Sequence, residues 1–167
     1  MGAGRGTFLL ALVALVALVA LAPVALAAQQ RVTAAPQFEA HLDAILSPEG
    51  GAMLGLGVNV RAGWYTRLGL TLSAGAVSAA GALRDAQRID ATARFLFDPF
   101  AEGRRAFYAG AGLGAQRSAS GEVEGRLLGV VGAEGPSAGR VVPSVELTLG
   151  GGARLGVVLR SRRPQGR

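Results

Sequence analysis

His41 is the only histidine in the 167 residues, and it lies in FEAHLDAIL (38–46) between Glu39 and Asp43. A two-residue period puts all three side chains on one face of a strand. A histidine beside a carboxylate is two-thirds of an acyl-transfer relay, and a hydroxyl nucleophile is the missing member. Ser73 and Ser144 are the serines in other segments that could supply it. However, no GxSxG occurs and neither serine has a legible partner, so a histidine within an enclosed polar network is the favoured reading and no catalytic residue is assigned. Gly110-Ala111-Gly112-Leu113-Gly114 has the look of a phosphate loop, but neither a helix nor an acidic partner follows, so no cofactor is expected. With no cysteine and a single histidine, thiol chemistry, disulfides and a structural zinc are excluded, and no metal site is expected.

The basic residues are all arginine, 17 against 11 acids, for a formal charge of +6. They are spread along the chain, and only Arg104-Arg105 and Arg162-Arg163 are adjacent. No basic stripe forms, so nucleic acid is not an expected partner.

Any chemistry must be positioned by the elements around these residues. Residues 1–27 read as a signal peptide: Arg5, the apolar run FLLALVALVALVALA (8–22), Pro23, and Ala25-Leu26-Ala27 as a cleavage pattern. An uncleaved membrane anchor is the rival reading. A polar lead-in (28–37) follows. Eight alternating runs then succeed one another: 38–46, 53–63, 66–77, 88–97, 106–117, 122–134, 141–150 and 153–160. Turn signals separate them, and none shows a capped helical period. The fold class is therefore all-β, with a barrel domain over 38–160 and a basic tail over 161–167. Arg160, Arg162 and Arg163 at that end suit either anionic headgroups or a solubilising tail.

Sorting the runs by parity gives an apolar face of Leu, Val and Ala with few Phe, and no charge. The other face holds Gly, Thr and Ser with charges of both signs. Two solvents fit such a pattern. In a soluble barrel or sandwich the leucines turn inward, and an exported version would bind a small apolar ligand. In a membrane barrel they meet lipid and the polar face lines the interior. Three features favour lipid. The apolar set is poor in the bulky, varied side chains of a packed core. Glycine crowds the polar face, where it makes room for long side chains inside a narrow barrel. Charges enclosed there must pair, which makes Arg61, Arg67, Asp90, Arg94, Glu146 and Arg154 a lumen network, with Glu122, Glu124 and Arg126 as further partners. Finally, Phe38, Trp64, Tyr65, Phe97, Phe100, Phe107 and Tyr108 collect at one rim as an aromatic girdle, with Phe95 further up. An exported N-terminus makes that rim the periplasmic one.

On its signal segment, strand count, dyad pattern and segments such as FYAGAGLGAQ and LTLGGGARLGVVLR, the chain resembles the small eight-stranded outer-membrane barrels of the OmpA/OmpX-like superfamily. It departs from their pattern past Leu159, where RSRRPQGR replaces the usual terminal aromatic. The resemblance implies an eight-stranded antiparallel up-and-down transmembrane barrel in the bacterial outer membrane, behind a cleaved signal helix. Its implied partners are membrane lipids and the outer-membrane assembly machinery. Some such barrels modify lipid A through His and Ser. The reading of His41 above makes a structural, non-enzymatic envelope role the expectation here.

Overall fold

The structure, a computed structural model, describes residues 35–47, 50–79, 81–101, 104–117 and 122–162. The expected signal peptide, most of the lead-in and the end of the tail lie outside the described residues. Eight strands form: β1 (Gln37–Ile45), β2 (Gly51–Arg61), β3 (Thr66–Ala79), β4 (Ala82–Leu96), β5 (Ala106–Arg117), β6 (Val123–Glu134), β7 (Val141–Leu149) and β8 (Ala153–Ser161). Each pairs antiparallel with its sequence neighbour, and β8 returns to β1, for example His41 opposite Val158. Closure leaves no strand without a partner on either side, which removes the exposed edges an open sheet must protect.

The strand bounds differ from the sequence expectation chiefly in β4, which starts at Ala82 rather than Arg88. Asp85 and Gln87 break its apolar parity, yet the ladder to β3 runs on to Ala79 opposite Ala82. Backbone pairing does not depend on what the outer face meets. The barrel also gains one residue at each end, Gln37 and Ser161, joined by the Gln37 Nε2–H donating to the Ser161 carbonyl at 2.9 Å. The β7–β8 connection is Gly150-Gly151-Gly152, all at positive φ (135°, 67° and 113°), a conformation that side-chain-bearing residues rarely adopt.

The faces are inverted relative to a water-soluble protein. Most of the large aliphatic side chains point outward, Leu56 at 74% exposure among them. Polar and charged side chains fill the interior, where Arg160 is 2% exposed. A leucine-lined interior for an apolar ligand is thus not what forms. On β4 the outward positions carry no charge from Ile89 to Phe97. At ~3.4 Å per residue and ~40° of tilt this makes an apolar band roughly 20 Å tall, close to the lipid-facing band of outer-membrane barrels.

β6 is where the parity was hardest to see. Leu127-Leu128 and Val130-Val131 place aliphatics on both faces: Leu127 and Val131 are exposed, Leu128 and Val130 buried. Val130 packs with Leu96 and Tyr108 in a small apolar cluster inside the lumen.

Candidate functional site: the interior charge network and the aromatic rim

We call the rim that carries the start of β1 and the β2–β3, β4–β5 and β6–β7 connections the near rim, and its opposite the far rim. Among the described residues, the buried charges inside the barrel are five arginines (67, 88, 94, 154, 160) and five carboxylates (Glu39, Asp43, Asp90, Glu134, Glu146), together with His41. The arginines and carboxylates thus match in number, and enclosed ions must pair because an unpaired one would carry its whole desolvation cost.

The pairs form three groups along the axis. Nearest the near rim, Arg67 Nη1–H donates to Glu134 Oε1 at 2.6 Å. Arg160 Nη2 lies 2.8 Å from Glu134 Oε2, an ion pair whose N–H does not point at the oxygen. In the middle, Arg94 Nη1 donates to both oxygens of Glu39, at 2.9 and 3.0 Å, while Nη2 sits 3.3 Å from Glu146 Oε2. Tyr108 closes this group: its hydroxyl donates to Glu146 Oε2 at 2.9 Å, and Arg94 Cζ lies 5.7 Å from its ring centroid. Towards the far rim, Arg88 is bonded to Asp43 and lies 2.8 Å from Asp90 Oδ2 through Nε. Arg154 Nη1 donates to the same Asp90 oxygen at 3.1 Å. Cation and anion alternate in all three groups, as cross-lumen pairing in low dielectric requires.

Four of the six residues read as the network, Arg67, Asp90, Arg94 and Glu146, pair in this way, and Arg154 joins through Asp90. Arg61 stands apart at the rim end of β2, where its Nη2–H donates to the Pro99 carbonyl at 3.0 Å. Glu124 pairs with Arg126 at 2.6 Å in an exposed far-rim contact, and Glu122 is exposed there too. The carboxylates that in fact meet the lumen arginines include Glu39, Asp43 and Glu134. The first two lie on the polar parity of β1, so a signal for them existed. Glu134 ends the irregular β6 run and had none.

His41 sits inside this network. Its Nε2 is 3.3 Å from Glu39 Oε2 and 3.5 Å from Thr71 Oγ1. Ser144 Oγ–H donates to the Val158 carbonyl at 3.3 Å, and Ser73 Oγ is buried with no hydrogen-bond partner among the described residues. No serine–histidine hydrogen bond forms among the described residues.

The glycines of the polar face provide space, chiefly for neighbours other than arginine. A Cβ at Gly114 would lie 2.6 Å from Asp90 Oδ1, and one at Gly57 2.8 Å from Thr71 Oγ1; at Gly69 the nearest atom is Thr92 Oγ1 at 3.1 Å, with the Arg94 guanidinium at 3.9 Å. One tight position is Gly132, between Tyr108 on β5 and Glu146 on β7, where an added Cβ would overlap the Tyr108 ring. Gly132→Ala is expected to destabilise the barrel by about 1–3 kcal/mol through this overpacking. Gly129→Ala, on the outer face with nothing within 4 Å, should be near neutral. Urea midpoints of the two variants in the same detergent check the difference.

Two assignments at the aromatic rim are corrected. Tyr108 is 3% exposed and faces the lumen, because its neighbour Phe107, 63% exposed, takes the outward parity. Phe95 joins the rim instead: opposite Thr66 in the ladder, its ring stacks on Tyr65 at 5.6 Å and meets Phe97 edge-on at 5.9 Å. Trp64 and Phe100 are in contact at 5.5 Å. Phe38 is also outward and exposed.

No family model matches the chain, and neither does any curated protein. Among solved structures, the crystal structure of Neisserial surface protein A (NspA) aligns with a TM-score of 0.58 at 16% identity, over 77% of this chain and 96% of that one. The attachment invasion locus protein Ail of Yersinia pestis aligns at 0.39, with 11% identity over 75% and 92% of the two chains. A loop-deletion mutant of OmpT, an outer membrane protein of Vibrio cholerae, aligns at 0.31, with 17% identity over 67% and 38%. The likeness to Neisserial surface protein A is one of architecture: this chain has the fold of a small eight-stranded outer-membrane barrel.

Proposed function

We propose that the chain is an outer-membrane barrel with a closed polar interior and a structural, non-catalytic role in the envelope. One observation carries this: balanced buried charges inside, with leucines outside and aromatics gathered at one rim. In water such an exterior is a very large contiguous apolar patch, far beyond what soluble monomers expose. In lipid it is the ordinary outer face of a β-barrel. Signal-directed export through residues 1–27, followed by insertion by the outer-membrane assembly machinery, belongs to the same reading and turns the near rim to the periplasm.

A structural role is favoured over lipid modification because His41 is enclosed by Glu39 and Thr71, and Ser144 is engaged by backbone. His41 itself is buried, at 6% exposure. The same filled interior argues against conduction, since an eight-stranded barrel is only wide enough for side chains.

The full-length chain should fractionate with outer membranes, need detergent for extraction, and migrate faster on a gel unheated than boiled. In planar bilayers it should give no channel-sized current steps. Lipid A from expressing cells should keep its mass, with or without His41→Ala. Recovery as a soluble monomer without detergent would overturn the membrane reading, and a His41-dependent mass change would overturn the non-catalytic one.

A further inference from the structure

Among the described residues, the excess positive charge of the barrel lies at one rim. The described residues include thirteen arginines and nine acids. Five of each are paired in the lumen. The far rim holds Arg84, Arg117 and Arg126 against Asp85, Glu122 and Glu124, and so is also balanced. Of the described residues, that leaves at the near rim Arg61, held by the Pro99 carbonyl, and Arg104, Arg105, Arg140 and Arg162, with Asp98 as the described acid. An even scatter of arginine along the sequence thus becomes a one-sided charge once the strands are paired.

These arginines are available. Arg104, Arg105 and Arg140 are exposed and Arg162 is half-buried. None of the four makes a side-chain hydrogen bond or ion pair among the described residues, whereas the lumen arginines are all paired. They follow one another around the rim. Arg104 and Arg105 precede β5, Arg140 ends the β6–β7 connection, and Arg162 follows β8, its N–H donating to the Arg140 carbonyl at 2.7 Å. The aromatics of the same rim lie beside them, and Phe97 and Phe100 share the β4–β5 connection with Arg104 and Arg105. Exposed Trp, Tyr and Phe mark the depth at which hydrocarbon gives way to headgroups. A cation just outside that belt is at phosphate depth, and guanidinium is the side chain best shaped to bind phosphate oxygens in pairs.

We propose that the near rim is a binding surface for the phosphates of anionic glycerophospholipids, with Arg104, Arg105, Arg140 and Arg162 as its ligating residues. This rests on the membrane reading above, which turns the near rim to the glycerophospholipid leaflet. Each arginine close to an anionic membrane raises affinity about fivefold, and salt screens the effect.

The test compares full-length protein with a variant in which all four arginines become glutamine, and with a far-rim control, Arg84→Gln/Arg117→Gln/Arg126→Gln. Each is folded into phosphatidylcholine vesicles, and its heat-modifiable gel shift is recorded. Retention of phosphatidylglycerol over phosphatidylcholine by the detergent-extracted barrel is then measured by native mass spectrometry. The expected result is a preference for phosphatidylglycerol in the wild type and the far-rim control. In the near-rim variant it should fall at least about tenfold. Raising salt should weaken the preference in the wild type. Equal retention of the two lipids by wild type, an unchanged preference in the near-rim variant, or loss of preference in the far-rim control each overturns the proposal. Preferential retention of lipopolysaccharide over phosphatidylglycerol also overturns it. The vesicle step keeps the two ideas separate. A chain that fails to insert into phosphatidylcholine refutes the membrane reading, whereas one that inserts without lipid preference refutes only this inference.

Discussion

Leu56→Arg is expected to abolish assembly, while Gln87→Arg leaves the barrel able to fold. Both positions face outward, and they differ in depth. Leu56 lies opposite Ala40 on one side and Leu72 on the other, in the middle of the apolar band. Gln87 lies on β4 past Ile89, beyond the band's far edge. An arginine facing lipid at the bilayer midplane costs roughly 2–4 kcal/mol, falling to about 0–1 near the interface. The first figure is a large share of the stability of a small domain. The measurement is the heat-modifiable fraction after folding into vesicles: near zero for Leu56→Arg, near wild type for Gln87→Arg. Equal tolerance at both sites would mean that the apolar band does not meet lipid. Thr71→Arg, the inward neighbour of Leu70 and Leu72, is not the mild change that parity alone suggests. Thr71 is buried against His41, so an arginine there must be taken up by the lumen beside a histidine already in contact with Glu39.

The second large effect is expected inside. Arg94 stands between Glu39 and Glu146, bonded to the first and 3.3 Å from the second. Arg94→Met removes the cation between two buried carboxylates. Breaking a buried pair in this way costs about 3–5 kcal/mol, because the charge left behind has no compensation. If the cost is electrostatic, it should be largely recovered by neutralising the partners together, in Glu39→Gln/Arg94→Met/Glu146→Gln. Urea unfolding in detergent reads both midpoints, and the slope checks that the transition stays comparable. A triple variant no more stable than the single one would show instead that Arg94 acts through its packing on Tyr108.

Much of this barrel was legible in period two. Alternation along the runs from 38 to 160 separated lipid-compatible from enclosed positions, and the strands that form follow those runs closely. The same rule, applied strictly, also contained the answer for Tyr108. Phe107 lies on the apolar parity, so the next residue points inward, whereas position beside the β4–β5 connection by itself places both residues in the girdle. The height of Phe95 is likewise not a local property: it depends on the register of β4 to β3, which sets Thr66 opposite Phe95.

Partner choice in the lumen was out of reach of the sequence. Arg67 and Glu134 are separated by 66 intervening residues and meet only because β3 and β6 face one another across a closed ring. Arg160 comes within reach of Glu134 because β7 pairs with both β6 and β8 and sets Ser144 opposite Glu134 on one side and Val158 on the other. No local pattern encodes such distances; strand number and stagger do. The doublets of β6 added a second obstacle, since with aliphatics at both parities either face could have been the lumen side.

By itself, then, the sequence determined the side each residue takes in the strands with one apolar parity, β6 excepted, since the two-residue repeat is a local consequence of extended backbone. Closure of the barrel decided which charges meet, how the interior balances, and that the surplus of arginine gathers at the rim with the aromatics. Those are relations between strands distant in the chain, and they exist only once the register is set.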